Sequence, residues 1–348
     1  MGISTHSLPR RIAIVTGDPS LPDPTKHGHR YGAEDLAVHE RMREAFAALG
    51  KFEFTVIERH EGLFDTLREF APDLVVNFCD TGLLNNPQHE IHIATQLETM
   101  GLPYTGAAPR GMLYCYDKQI VRLLAEAMGV AVPRERFVAA AEVTRAAVGS
   151  FPALIKPNTA DGSVGITKNA VVENESQARD YLDWLASELP GCDVLIQEYL
   201  PGTEYGLALI GNPDGGFEQL PMLEVDFSAL PADFAPILSF ESKTDPGSPY
   251  WNDIRLKPAN LPAQRQQQLG EYCRMLFARL GLRDYGRFDF RTAADGTIKL
   301  MEVNPNPAWG YDAKLAVMAD FAGWPYSQLL EALVATAWAR IRPEAAAG

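Results

Sequence analysis

Apolar residues in this chain fall into short runs separated by polar stretches with helical spacing. The run RIAIV, Arg11–Val15, reads as a strand, the Gly-, Pro- and His-rich stretch 17–32 as a loop, and 34–49 as a helix. Residues 54–57 and 74–78 continue as strands, the second introduced by Pro72 and Asp73, with a helix at 63–70 between them. This rhythm is expected of a parallel sheet covered by helices. Segments 90–100 and 118–128 have helical spacing, and 103–107 reads as strand and turn. Around 133–150 an Ala-rich connection marks entry into a second domain. Beyond it come a strand at 153–156, a Gly-containing loop at 158–165, a further strand, a helix at 176–189 and a strand at 194–199. Strand-rich sequence follows, then a helix at 264–280, strands at 287–291 and 298–303, and a closing helix at 326–341. The expected fold class is α/β (α+β), with no internal repeat.

At 348 residues the chain exceeds one ordinary core, so two or three domains around a cleft are expected. Its 46% hydrophobic and 22% charged residues are those of a globular protein. A formal charge of -14 repels phosphodiester backbones, and no basic patch offsets it, so no nucleic-acid partner is expected. A mononucleotide is not excluded, because a few buried lysines and bound metal ions set the potential inside a cleft. Cys79, Cys115, Cys192 and Cys273 form no CxxC pair, which fits reduced thiols in a cytoplasmic protein. The start, MGISTHSLPRR, lacks the long apolar stretch of a secretory signal, and His6 breaks the myristoylation pattern. No run of about 18 apolar residues is present, so a membrane span is not expected.

Three stretches carry chemistry. In 285–307, GRFDF is followed by a turn at Asp295 and Gly296 and then by KLMEVNPNP. Alternate side chains of antiparallel neighbours share a face, which lets Asp289, Glu302 and Asn304 converge. Two carboxylates and an amide oxygen suit Mg2+, which completes its shell from water and phosphates; an acidic hairpin with solvated charges is the plainer alternative. In ALIKPNTADGSVGI, 153–166, Lys156 ends an apolar strand, where an ammonium is costly unless an anion neutralises it. Gly162 and Gly165 around Ser163 would let backbone N–H groups approach phosphate oxygens, although a plain hairpin tip has the same composition. In VLIQEYLPGTEYGLAL, 194–209, two strands joined by a tight turn put Gln197, Glu198, Tyr199 and Leu200 on a linking edge. Backbone amides there can read an adenine ring, and Glu204 can accept from ribose hydroxyls.

Taken in order, GLPYTGA, YDKQIVRLLAEAMGV, LIKPNTADGSVGI, IQEYLPGTEY, YGRFDF and MEVNPNP resemble the ATP-grasp superfamily, and within it the D-alanine:D-alanine ligase family. The resemblance implies an N-terminal Rossmann-like (pre-ATP-grasp) domain over 1–130, a small central α+β lid over 131–205 and a C-terminal α+β domain over 206–348. It implies that Lys118 and Lys156 hold ATP phosphates, that Lys243 reaches the γ-phosphate, and that Gln197, Glu198, Tyr199, Leu200 and Glu204 contact adenosine. Asp289, Glu302 and Asn304 match the ligands of Mg2+ or Mn2+, with two ions expected, and Arg287 matches the arginine that stabilises the tetrahedral intermediate, with Lys243 and Ser163 beside it. The implied reaction joins a carboxylate to an amine through an acyl phosphate, releasing ADP and phosphate, in a cytoplasmic homodimer.

The substrate side departs from the family. Gly162 stands where the family has the first of two serines, and Thr244 where a tyrosine follows the third lysine. NPNPAWGYDAK replaces a small-residue turn with the Thr and Ser that bind the second D-alanine carboxylate, so Trp309, Tyr311, Asp312 and Lys314 point to a different substrate group. The long first loop offers His27, His29, Arg30 and Glu34, and the segment 77–90 offers Asp80, Asn85, Asn86 and His89, to the cleft; solvated loops are the plainer alternative, and metal binding by the histidines is not expected. The leading expectation is a ligase making a dipeptide or related amide. A small-molecule kinase would release ADP without an amide product, and a noncatalytic nucleotide-binding protein would do neither.

Overall fold

The structure, a computed structural model, describes residues 8–160 and 162–342; the N-terminal stretch that contains His6 lies outside the described residues. Strand β1 (Arg11–Val15) leads through a long loop into α1 (Ala33–Leu49), followed by β2 (Glu53–Ile57), α2 (Leu63–Phe70) and β3 (Leu74–Asn77). These strands form a parallel sheet in the order β2-β1-β3. Ile12, Ile14, Leu74 and Val76 face one layer and Ala13, Val15 and Val75 the other, which is why both strands read as unbroken apolar runs. The strand expected at 103–107 is a single parallel bridge between Val75 and Tyr104. Helices α3 (Glu90–Thr99), α4 (Pro109–Tyr116) and α5 (Lys118–Ala127) complete this part. The sequence reading passed over α4, whose buried residues are Gly111, Met112 and Cys115.

The next sheet is antiparallel, in the order β4-β7-β5-β6, from β4 (Glu135–Val138), β5 (Ala153–Pro157), β6 (Val171–Val172) and β7 (Val194–Glu198), with α6 (Glu175–Glu188) between β6 and β7 in the chain. Ile155, Val172, Ile196, Leu182 and Leu185 make its own small core. The largest sheet contains β8 (Glu204–Asn212), β9 (Gly216–Gln219), β10 (Leu223–Asp226), β11 (Arg255–Pro258), β12 (Tyr285–Thr292) and β13 (Ile298–Asn304). Its order is β11-β10-β8-β12-β13, with β9 also on β8. Leu207 and Leu209 of the central strand pack with Phe277 and Leu280 of α9 (Ala263–Leu280), whereas Ala208 and Ile210 pack with α10 (Lys314–Phe321), α11 (Tyr326–Ile341) and the N-terminal sheet. Period-two alternation thus ties the large sheet to both neighbours. Among the described residues, no helix is long and apolar enough to cross a membrane.

One buried carboxylate joins three parts of the chain. Asp284, fully buried, accepts from Arg340 Nε at 2.7 Å and Nη2 at 2.8 Å, from the Gly106 backbone at 2.9 Å and from Asn212 Nδ2 at 3.1 Å. It sits at φ 67°, a left-handed backbone that Asp tolerates better than most residues. Replacing it by Ala would leave the partly buried Arg340 guanidinium, 23% exposed, without its carboxylate. We expect Asp284→Ala to lower unfolding free energy by about 3–5 kcal/mol, read from urea denaturation.

Candidate functional site

Strands β12 and β13 pair antiparallel with Asp289 opposite Glu302 and Arg287 opposite Asn304. A register shift between Asp289 and Phe290 interrupts the ladder just there, as bulges beside active sites commonly do. Arg287 grips its neighbour: Nε lies 2.9 Å from Asp289 Oδ1 and Nη2 lies 3.0 Å from Oδ2. Lys314, at the first position of α10, donates to Asp289 Oδ2 at 3.3 Å and to Glu204 Oε1 at 3.1 Å. Arg291 Nη1 closes the group at 3.6 Å from Glu204. Burial works to raise the Asp289 carboxyl, but Arg287 and Lys314 outweigh it and hold it well below the ordinary carboxylate range. Burial likewise works to lower the Lys314 ammonium, and Asp289 and Glu204 outweigh it, so its proton is held more tightly than usual.

Facing this group are the lysines. Lys156 is almost fully buried at the end of β5, where burial depresses its ammonium, opposed chiefly by Glu302. Lys243 lies in α7 (Glu241–Thr244), which with α8 (Pro249–Asn252) precedes β11. Its side chain is open to cleft solvent although protein surrounds it, so its depression to about 8 belongs to an enclosed cleft and not to a dry core. Burial is the larger cause, and Glu302 is again the leading opposing charge. Glu302 is therefore common to both lysines, and the structure brings Lys156, Lys243, Arg287, Asp289 and Glu302 to one place. Lys118 is buried at the start of α5, its ammonium donating to the Ala160 carbonyl and its backbone to Asn158, whose side chain also caps Gln119. In the loop between, Gly165 has φ 75° and a Cβ there would lie 2.5 Å from Pro157 Cγ, so only glycine fits.

Several expected contacts are otherwise engaged. The Ser163 hydroxyl donates to the Leu238 carbonyl at 3.0 Å and ties the loop to the segment before Lys243. The Glu198 side chain turns to Arg134 and Lys299, which leaves backbone atoms for any ring contact along this edge. Gln197 is buried and donates to Glu135 at 2.8 Å; Tyr199 has Arg291 5.4 Å from its ring centre; Leu200 is buried.

Expectations for the turn after Asn304 need correcting. Trp309 is 6% exposed and stacks on Phe78, ring centres 5.3 Å apart, with His39 at its edge, so it is a wall of the core and not an open contact. That apolar anchoring turns Tyr311 and Asp312 outward. Tyr311 lines a groove of about 460 Å3 between α1 and the α10–α11 corner, beside Arg41 and Tyr326, instead of meeting Lys156 and Glu302. Glu34 is exposed on the first turn of α1, and His27, His29 and Arg30 are exposed on the loop before it. Asn85 is buried and exchanges hydrogen bonds with the Asp18 backbone, bracing the loop after β1 against that after β3.

Sequence reasoning named Asp80 in that crevice and missed the Asp23 and Lys26 that accompany it. Asp23 is fully buried, with one oxygen taken by Thr25 and the other without a partner; Lys26 pairs with Asp35 at 2.9 Å; Asp80 is half-buried. Burial raises the Asp80 carboxyl, opposed by Lys26 and reinforced by Asp23. The group lies beyond the carboxyl ends of β1 and β3, where strand order 2-1-3 reverses direction, which is where open α/β sheets bind ligands. Thr25 lies 3.8 Å from where a Cβ on Gly162 would be, so this crevice adjoins the lysine loop.

An antiparallel sheet carrying one lysine, set against a larger sheet carrying paired carboxylates, defines the ATP-grasp class. The family model for the C-terminal domain of D-alanine–D-alanine ligases matches residues 126–335, more than half of the chain, and the protein belongs to that family. An uncharacterised Sinorhizobium fredii protein, y4sG, is 27% identical over 92% of this chain and 91% of its own. The vancomycin C-type resistance protein VanC1 of Enterococcus gallinarum is 32% identical over 69% of this chain and 67% of its own. A Bacillus anthracis D-alanine–D-alanine ligase crystallised with ATP superposes with a TM-score of 0.70 at 21% identity, covering 96% of this chain and 99% of that one.

Asp289 and Glu302, one strand apart, are hard oxygen donors of the kind Mg2+ takes. No group of three His, Cys, Asp or Glu side chains among the described residues is arranged to hold a metal, so a metal here would draw further ligands from Asn304, water and phosphate. The surrounding cations accommodate that phosphate, and the residues fit the group. A titration follows from Lys243. Its ammonium is charged below about 8 and neutral above, so ATP affinity should weaken as pH rises through that value. Calorimetry should show the loss in the native protein and a flatter profile in Lys243→Met.

Proposed function

We propose that this protein is an ATP-dependent carboxylate–amine ligase that uses an amino acid as its acid substrate. The observation that carries the reading is the convergence of Lys156 and Lys243, both partly uncompensated, and of Arg287, paired with Asp289, on the Asp289–Glu302 pair, the environment a metal-bound triphosphate requires. Mg2+ held by Asp289, Glu302 and Asn304 would supply neutralisation of phosphate charge. Lys118 and Lys156 would hold the phosphates in line, and Lys243 would meet charge at the terminal phosphoryl group. A substrate carboxylate oxygen bonds to the γ-phosphorus as the bond to ADP breaks. The amine nitrogen then bonds to the acyl carbon, phosphate leaves and the nitrogen loses a proton. Arg287 would stabilise the oxyanion of that addition, a contribution of about 3 kcal/mol for a well-placed donor. The loop 158–165 would exclude water from the acyl phosphate.

The Asp23–Asp80 crevice supports an ammonium on the acid substrate, since it holds two carboxylates, one with an unpartnered oxygen, beside the loop where Gly162 departs from the family. An amino acid bound with its ammonium at Asp80 points its carboxylate toward the lysine loop. The divergence of this crevice and of the turn at 305–314 favours a pair of substrates other than two D-alanines.

The test is ADP release with Mg2+ against pairs of L- and D-amino acids, with mass spectrometry of the products. Release that requires two partners and yields an amide supports ligation; release with one acid and a phosphorylated product supports a kinase. Asp289→Asn should lower turnover by at least about a hundredfold. Asp80→Asn should raise KM for the acid substrate roughly tenfold or more while leaving KM for ATP within about twofold.

A further inference from the structure

Lys314 is placed against the local electrostatics of its own helix. It occupies the first position of α10, where the helix dipole disfavours a cation, and the preceding Ala313 offers no side-chain cap. What holds it there is a pair of buried carboxylates on different strands, Glu204 at 3.1 Å and Asp289 at 3.3 Å. Glu204 already has Arg291, and Asp289 already has Arg287 on both oxygens. Asp289 is therefore saturated by cations, whereas Glu302 accepts a long hydrogen bond from Asn304 Nδ2 at 3.4 Å.

We propose that Lys314 is the counter-ion a divalent metal displaces from Asp289, so that metal loading releases its ammonium into the cleft. The proposal rests on the metal reading given above. A dication bound by Asp289 and Glu302 would sit within a few ångströms of the present Lys314 ammonium, and two such positive charges repel strongly in a partly enclosed site. Lys314 is the member that can leave: it meets Asp289 through one contact at 3.3 Å on a flexible four-carbon stem, whereas Arg287 grips both oxygens at 2.9 and 3.0 Å. The consequence is a coupling. Lys314 on Asp289 neutralises that carboxylate; with metal in its place, a mobile ammonium faces the substrate side, where it can meet the anionic group of an incoming substrate. Competition for one carboxylate also makes the effect reciprocal.

The test uses the full-length protein without nucleotide and Mn2+ as the probe, with free Mn2+ read by electron paramagnetic resonance. Lys314→Met should bind Mn2+ roughly tenfold more tightly than the native protein, as expected for removal of a direct competitor. Lys243→Met removes the same charge nearby without vacating Asp289 and should gain less than about threefold. In the native protein, saturating Mn2+ should increase acetylation of Lys314 by a water-soluble acylating reagent relative to exposed Lys257, quantified by peptide mass spectrometry. Unchanged Mn2+ affinity in Lys314→Met, an equal gain in Lys243→Met, or unchanged Lys314 acylation overturns the proposal. Mn2+ binding that requires Asp289 but ignores Lys314 overturns this inference alone; no Mn2+ binding with or without ATP overturns the metal reading as well.

Discussion

The cleft is governed by the balance of charge around Asp289 and Glu302. Two carboxylates facing each other across adjacent strands are unfavourable unless cations separate them. Arg287 and Lys314 do so for Asp289, while Glu302 is the main counter-charge to Lys156 and Lys243. The result is an arrangement in which lysines are under-compensated and one carboxylate is over-compensated. Bringing in a polyanion together with a dication would restore such a balance, which is what the proposed reading requires of the site.

The three sheets exist in relation to that balance. The large sheet fixes the carboxylates and Arg287 on paired strands, whose spacing is set by backbone hydrogen bonds. Lys156 arrives on a separate, smaller sheet with its own core, and Lys243 on a short helix tied through Ser163 to the same loop. The N-terminal sheet shares a core with the large one and presents its strand ends to the lysine loop through Thr25. Charges that must approach one another are thus carried by units with independent hydrophobic support.

Much of this was legible in the sequence, because its signals are local and periodic. The runs at 11–15, 74–78 and 298–303 announced their strands, and the alternation in GRFDF and MEVNP announced which side chains share a face. Lys156 was legible because an ammonium at the end of an apolar strand requires a reason. The turn at 305–314 was not: aromatic residues beside a metal-binding motif read as substrate contacts, yet Trp309 is drawn into the core by Phe78, which only the fold brings near. Asp23 was hidden, and so was the pairing of Lys314, which the sequence marked only as a residue of the substrate turn. An Asp in a Pro-rich loop looks solvated, and the partners of Lys314 lie 110 and 25 residues away.

The most direct test of the account follows an oxygen atom. The amino acid that sustains ADP release, labelled with 18O in both carboxylate oxygens, is turned over with ATP, and the inorganic phosphate is analysed by mass spectrometry. Attack of the carboxylate on the γ-phosphorus predicts that each phosphate carries one 18O and each amide product retains the other. Phosphate free of 18O would show that water, and not the carboxylate, receives the phosphoryl group, and would contradict the account.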